Sequence, residues 1–130
     1  MAKNLLILIG FLFVFTLGRA QSASNITKEI TSAINQSNSD YLISKSKDKV
    51  FINILSNKAY STKAQAKVIL KDFFKDNPIN GFSPNITNLS NGITLLQGVG
   101  KSKNKKFNIK IRLQKIDNTE YITEITIEHE

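Results

Sequence analysis

The sequence contains no cysteine and only one histidine, His129, and these two shortages exclude several kinds of site. Without cysteine the chain forms no disulfide bond and has no thiol to accept a lipid. Zinc sites need three or four converging ligands, so one histidine without thiolates argues against such a site. His129 lies where we expect fraying, which argues against a triad or general base there. We therefore predict no metal, no cofactor and no catalytic residue set.

Long hydrophobic runs are also scarce, and the one that is present lies near the start of the chain. Residues 5–17 are almost entirely apolar and follow Lys3, and small residues stand at Gly18 and Ala20. This is the pattern of a cleaved signal peptide over residues 1–20. About a dozen apolar residues are too few to span a bilayer. We therefore expect an exported protein, periplasmic or secreted, without stable membrane insertion.

Basic residues outnumber acidic residues, but the excess is small once the predicted signal peptide is removed. Without Lys3 and Arg19 the excess of basic over acidic residues falls from eight to six. Such an excess is compatible with an anionic partner and does not require one. The remaining residues, 21–130, have the length of a single domain and are enough for one hydrophobic core.

The pattern of residues 60–78 predicts one amphipathic helix, with recognisable start and stop signals at its two ends. Thr62 and Gln65 match a capping box at its start, and Asn77 before Pro78 marks its end. One apolar stripe recurs at helical spacing. It consists of Ala66, Ile69, Leu70, Phe73 and Phe74. We expect this stripe to pack on a sheet, with Phe73 and Ile69 facing it.

The segments before this helix predict two further helices and one strand. A helix is expected over residues 24–37, and the break at 37–40 can cap a second, short helix. Residues 49–56 are rich in β-branched and aromatic side chains, which is typical of a strand. Asn57 and Lys58 are then expected to turn the chain directly into the long helix.

After Pro78 the pattern changes to strands. Four strands are predicted, over residues 82–90, 93–101, 106–115 and 121–128. Asn91 and Gly92 indicate a tight hairpin, since both tolerate positive φ. Gly98 and Gly100 indicate a bulge or a bend in their strand. Helices first and an antiparallel meander last predict an α+β fold, with N-terminal helices packed on a curved antiparallel sheet of about four to five strands.

The hydrophobic alternation of the last two strands predicts their register, because a slip of one residue would expose every apolar side chain. The expected register needs a three-residue loop at residues 117–119. Its pairs are Ile111 with Ile125, Ile109 with Ile127, Arg112 with Glu124, and Asn108 with Glu128. Lys110 would lie diagonal to both acids. Such a neutralised, solvated face is a poor dimer interface, so a monomer is favoured.

The long helix and its surroundings resemble the signature of an uncharacterised family of small secreted Bacteroidota proteins, a domain of unknown function. The shared run comprises Tyr60 and Ser61, residues 63–66, residues 69–75, and Asn77 with Pro78. The resemblance extends to the preceding strand and to residues 121–128. It implies the cone-shaped α+β fold of the nuclear-transport-factor-like and cystatin-like superfamily, and it implies no activity.

Two sets of residues are candidates for binding. Cone folds often hold a ligand between sheet and helices, and the candidate pocket-lining residues are Tyr41, Tyr60 and Tyr121. Tyrosines at the boundary of a core are the alternative interpretation. The candidate patch for an anionic partner comprises Lys101, Lys103, Lys105 and Lys106. Solvated turn lysines are the alternative there.

Three hypotheses about function follow from these observations. The first is a non-catalytic binding or interaction module, with a small ligand in the cone or an anionic surface as its partner. The second is a small cone-fold enzyme whose acid and base the sequence does not identify. The third is an interaction protein whose cone is filled by its own side chains. Buried polar groups around a void favour the ligand or the enzyme, whereas a filled apolar cone favours interaction.

Overall fold

The computed structural model of the protein describes residues 25–130. Its helices are α1 (Asn25–Asn35), α2 (Ser39–Ser44) and α3 (Lys63–Asp76). Its strands are β1 (Ser46–Ile54), β2 (Asn57–Thr62), β3 (Asn85–Asn88), β4 (Ile93–Ser102), β5 (Lys105–Ile116) and β6 (Thr119–His129). The predicted signal peptide, residues 1–20, lies outside the described residues. No helix within 25–130 has the length and hydrophobicity needed to cross a membrane.

The six strands form one curved sheet in the order β2-β1-β6-β5-β4-β3. The inner face of this sheet packs against the helices, and the opposite side is called the outer face. The predicted α+β class is confirmed, with one strand more than expected. The sheet is not wholly antiparallel, because β6 returns from the far half of the sheet to lie parallel to β1. This pairing places the last strand at the centre of the fold.

The additional strand is β2, and the prediction that Asn57 and Lys58 lead directly into the helix is wrong. Leu55 and Ser56 adopt φ of 51° and 71° and form a two-residue hairpin turn between β1 and β2. Such turns normally carry asparagine or glycine, so this one has no sequence signal. The Leu55 amide donates to the Ile127 carbonyl at 2.8 Å, and the Ser56 amide donates to Glu128 at 3.2 Å. Strand β6 therefore supports the turn.

Helix α3 begins as its capping box predicts. The Gln65 amide donates to Thr62 Oγ1 at 3.3 Å, and the Thr62 amide donates to Gln65 Oε1 at 3.1 Å. These bonds satisfy amide groups that the first turn leaves without helical partners. The stripe that includes Phe73 is buried, and Ile69 is half-buried at its margin. Helix α2 is capped by Asn38, whose side chain accepts from the Tyr41 amide.

The predicted register of β5 and β6 is confirmed, but the predicted three-residue loop is wrong. All four expected pairs are present. The turn holds only two residues, Asp117 and Asn118, with φ of 50° and 65°. The extra residue is Thr123, which lies in a bulge between the pairs Arg112–Glu124 and Leu113–Ile122. Because the bulge shifts the alternation of β6, Ile122 and Ile125 both face the core.

Of the two alternatives expected at Gly98 and Gly100, a bulge or a bend, the bulge is not present, because β4 pairs with β5 without interruption. These glycines instead face the segment that leads from α3 to β3. A Cβ atom at Gly98 would lie 3.0 Å from Pro84 Cα, and one at Gly100 would lie 2.7 Å from Ile79 Cγ2. The missing side chains therefore let this segment cross the sheet closely. At the β3–β4 connection, Asn91 and Gly92 both adopt positive φ, as predicted. The predicted tight turn is wrong, because the last strand pair is Asn88 with Thr94 and Ser90–Gly92 forms a 3₁₀ turn between the strands.

Candidate functional site

The space between the sheet and the helices is packed with apolar side chains. The sheet contributes Ile52, Leu96, Phe107, Ile109, Ile111, Leu113, Ile122, Ile125 and Ile127, all fully or almost fully buried. Helix α3 closes this layer with Phe73, whose ring lies edge-on to Phe107 with centroids 5.2 Å apart. The side chains of the described residues thus fill the region where a cone fold would hold a ligand.

The buried polar residues in the described part of the chain are all serines and threonines. They are Thr27, Ser39, Ser46, Ser61, Thr94 and Ser102. Several have local partners: the Ser46 hydroxyl donates to the Leu42 carbonyl, and the Thr94 hydroxyl donates to Asn88 Oδ1 at 3.0 Å. A hydroxyl becomes a nucleophile only beside a base, and every described carboxylate is exposed or half-buried.

The three candidate tyrosines lie in three separate surface clefts. Tyr41 donates to Glu29 Oε2 at 2.5 Å on the outside of α1 and α2, and Lys45 Nζ lies 5.7 Å from its ring centroid. Partial burial and the hydrogen bond to the Glu29 carboxylate raise the pKa of Tyr41 well above its usual value. The cleft beside Tyr41 has a volume of about 310 Å³. A role in ligand binding stays a prediction.

Tyr121 lies in the largest of the described clefts, which has a volume of about 570 Å³. The C-terminal end of α2 and the β5–β6 hairpin form its walls. Its lining includes Ile26, Lys45, Lys115, Asn118 and Glu120. The cleft is open to solvent and combines charges of both signs, so it lacks the enclosed apolar lining typical of a small-molecule site.

Tyr60 is 68% exposed at the free edge of the sheet. Lys49 Nζ lies 5.9 Å from its ring centroid. On its other side is a cleft of about 480 Å³ between β2 and α3, which we call the edge groove. It is lined by Ala59, Tyr60, Ser61, Gln65, Val68 and Ile69. Sequence reasoning missed this groove because it missed β2, and no short-range signal marked the turn that creates the strand.

The four candidate lysines lie at the tip of the β4–β5 hairpin. Lys101 and Lys106 face each other across the two strands, and Lys103 occupies the turn with φ of 58°. Strand β6 brings an acidic residue to this tip, because the Glu130 amide donates to the Lys106 carbonyl at 3.0 Å. The sequence alone showed no acid within the turn. Binding of an anionic partner there stays a prediction.

Two ion pairs lie at the surface of the described part of the chain. Lys110 Nζ lies 3.0 Å from Glu124 Oε2, as the predicted register requires. Lys67 Nζ lies 2.9 Å from Asp40 Oδ1, and this hydrogen-bonded ion pair lowers the pKa of the Asp40 carboxyl. Within residues 25–130, no group of three or more potential metal ligands lies together.

The expectation that His129 frays is wrong. This residue ends strand β6 in register with Phe107, and the two ring centroids are 5.3 Å apart. The imidazole is exposed and lies against an aromatic ring at the end of the sheet. No carboxylate bonds to it among the described residues, so no orienting partner for a catalytic histidine is seen.

Comparison with known proteins identifies relatives of this architecture. Residues 27–128 match the family described as Domain of unknown function (DUF4783). A DUF4783 protein from Bacteroides uniformis is 22% identical, with a TM-score of 0.72 over 78% of this chain and 94% of that one. A DUF4783 protein from Bacteroides ovatus is 23% identical, with a TM-score of 0.72 over 78% and 92%. No protein with a curated description matches the sequence.

The wider similarity concerns the fold. An NTF2-like protein from Cytophaga hutchinsonii shares 11% identity and a TM-score of 0.59, over 85% of this chain and 98% of that one. At this identity the likeness establishes an NTF2-like architecture and carries no activity. Because the family match spans nearly all of the described residues, the chain belongs to the DUF4783 family, with an NTF2-like α+β fold.

Proposed function

We propose that the protein is a non-catalytic interaction module that contacts its partner through the exterior of the fold. The observation that carries this proposal is the filled interior. Apolar side chains from α3 and the sheet occupy the inner face, and hydroxyls are the polar groups among the buried described residues. A cone that bound a ligand would instead be expected to place a few polar groups around a void.

The composition of the interior also argues against acid–base catalysis in the cone. The ketosteroid isomerase mechanism, for example, needs carboxyl groups and a tyrosine inside the pocket. In this chain the described carboxylates lie at the surface, and the hydrogen-bonded phenol–carboxylate pair, Tyr41 with Glu29, lies on the outside of two helices. A small enzyme remains the alternative function, and it would need a site on the exterior.

A truncation at the centre of the sheet tests the proposal. Ile111 is fully buried on the inner face. If the interior is a packed core, Ile111→Ala should lower the free energy of unfolding by about 2–5 kcal/mol, because it removes contacts and leaves a cavity. Urea denaturation measures this loss. Arg112→Ala is the matched control, since the neighbouring side chain is exposed on the outer face.

The opposite outcome would support a ligand-binding cone. In that case Ile111→Ala would cost little, because its side chain would border an occupied or empty pocket. Native mass spectrometry of the freshly purified protein would then also show a small molecule bound to the chain. For the packed interior we expect the mass of the bare chain.

We further propose that the protein is exported and that residues 21–130 form the mature domain. The support is the apolar run at residues 5–17, followed by Gly18 and Ala20. Intact-mass measurement on the natively produced protein should give a chain that begins at Gln21. A mass that includes Met1 would contradict export by cleavage.

A further inference from the structure

Strand β2 is a free edge of the sheet. The pair Ile54–Asn57 closes the two-residue turn and is hydrogen-bonded. Hydrogen-bonded and non-hydrogen-bonded pairs alternate along an antiparallel ladder, so Lys58 and Tyr60 belong to non-hydrogen-bonded pairs. The backbone amide and carbonyl groups of Lys58 and Tyr60 therefore point away from β1. Within residues 25–130, no hydrogen bond joins these groups to another segment. The edge thus offers a short row of donors and acceptors to an additional strand.

The edge groove lies beside these unpaired groups, on the inner side of β2. Val68, on the α3 wall of the groove, is 59% exposed, and Ile69 is half-buried beside it. Ala59 forms the strand side of the groove and is also exposed. Exposed apolar side chains next to a free strand edge favour pairing with another chain, which proteins usually prevent by covering or charging the edge.

The other side of the same edge is basic. Lys58 and Tyr60 project to the outer face, together with Lys49 from the neighbouring strand. Asp72 lies one helical turn beyond Val68 in α3, the helix on the inner side of β2, and is exposed. A strand added to β2 would therefore have one face against an apolar groove and its other face against two lysines and a tyrosine.

These two environments specify the occupant, because successive side chains of a strand point to opposite faces. We propose that the β2 edge binds an extended segment of a partner protein in which apolar and acidic residues alternate. Its apolar side chains enter the edge groove, and its carboxylates lie beside Lys58 and Lys49. The proposal rests on the proposed function as an interaction module and names the surface and the chemistry of the partner.

Charge argues against a second copy of this chain as the occupant. Antiparallel pairing of two β2 strands would bring Lys58 and Lys49 of both copies onto one face. Like charges on neighbouring strands are destabilising, and among the described residues neither Lys58 nor Lys49 forms an ion pair with a carboxylate. An acidic partner strand removes this repulsion.

The test uses residues 21–130 and a blocked seven-residue peptide of alternating valine and glutamate. Titration followed by amide NMR should shift resonances of β2 and of the α3 residues that line the edge groove, and should protect the Lys58 and Tyr60 amides from exchange. The same peptide with methylated amides on the residues that pair with β2 should not bind, because the ladder cannot form.

Two variants and a control locate the site. Val68→Glu should weaken peptide binding by about tenfold or more, because it places a carboxylate in the groove that the apolar side chains enter. Lys58→Gln should weaken binding and reduce its salt dependence. Ile86→Glu is the control: Ile86 is 48% exposed on β3, the opposite edge strand, and its replacement should leave binding unchanged.

Three results would overturn the proposal: no shifts in β2, shifts centred on the Lys101–Lys106 turn, or dimerisation through β2 in light scattering. None of them would affect the Ile111→Ala test, which concerns the interior. A failed peptide titration together with a costly Ile111→Ala change would leave an interaction module with a different surface.

Discussion

Gly98 and Gly100 line the part of β4 over which the chain crosses on its way from α3 to β3. The crossing segment buries Ile79 and Phe82 directly against the strand. The ladder between β4 and β5 stays continuous, so neither glycine is needed for a bulge. At the scale of single residues, the requirement for glycine therefore comes from a neighbour that is distant in sequence.

Gly100→Ala tests this requirement. The added Cβ would lie 2.7 Å from Ile79 Cγ2 and 2.8 Å from Ile109 Cδ1, distances that force both side chains to move. Loss of freedom in the unfolded chain would stabilise the variant by about 0.4–1 kcal/mol. Overpacking typically costs about 1–3 kcal/mol and should dominate. We expect a net loss of about 1–2 kcal/mol in urea denaturation.

Gln97→Ala is the control, because the Gln97 side chain is exposed on the outer face of the same strand. Its free energy of unfolding should stay within about 0.5 kcal/mol of wild type. A Gly100→Ala variant as stable as wild type would mean that the crossing segment can shift without cost.

Helix α3 illustrates what local sequence controls at the scale of an element. The capping box predicted from Thr62 and Gln65 is formed by two reciprocal hydrogen bonds. The start of the helix is nevertheless coupled to the sheet, since Thr62 is also the last residue of β2. The cap therefore marks the point where the edge strand ends and the helix begins.

Thr62→Ala should destabilise the protein by about 1 kcal/mol, because the Gln65 amide loses its acceptor at the start of the helix. Urea denaturation followed by far-ultraviolet circular dichroism measures the change. Thr62→Ser keeps the hydroxyl and should restore most of the stability. Equal losses in both variants would assign the effect to the threonine methyl group rather than to the cap.

At the scale of the whole molecule, α3 and the sheet are joined through their aromatic residues. Phe73 is buried, and its ring lies edge-on to Phe107 of β5 and to Phe74 of the same helix. The contact joins α3, which follows the β1–β2 hairpin, to β5 in the second half of the sheet. It closes the inner face that a ligand would otherwise enter.

Phe73→Ala should lower the free energy of unfolding by about 3–5 kcal/mol, as truncation of a buried aromatic side chain does. Val68→Ala provides the comparison on the same helix, because Val68 is largely exposed and its loss should cost little. A Phe73→Ala variant that unfolds at the wild-type urea concentration would contradict the orientation of α3.

The sequence by itself determined the features that depend on neighbours along the chain. The apolar stripe and the caps of α3 follow from helical spacing and from side chains three residues apart. The pairing of Ile111 with Ile125 and of Ile109 with Ile127 agrees with the alternation, because a slip of one residue would expose these side chains. The α+β class follows from the order of these elements.

Tertiary structure alone decided the hairpin that creates β2. Its turn uses Leu55 and Ser56, whose strained backbone is held by Ile127 and Glu128, about 72 residues away in sequence. The edge groove exists only because this strand exists. The separation of the three tyrosines into different clefts has the same cause, since each position depends on how helices and strands pack. Contacts between segments that are distant in sequence cannot be predicted from neighbouring residues. These contacts determine both the packing of the interior and the position of the free edge strand.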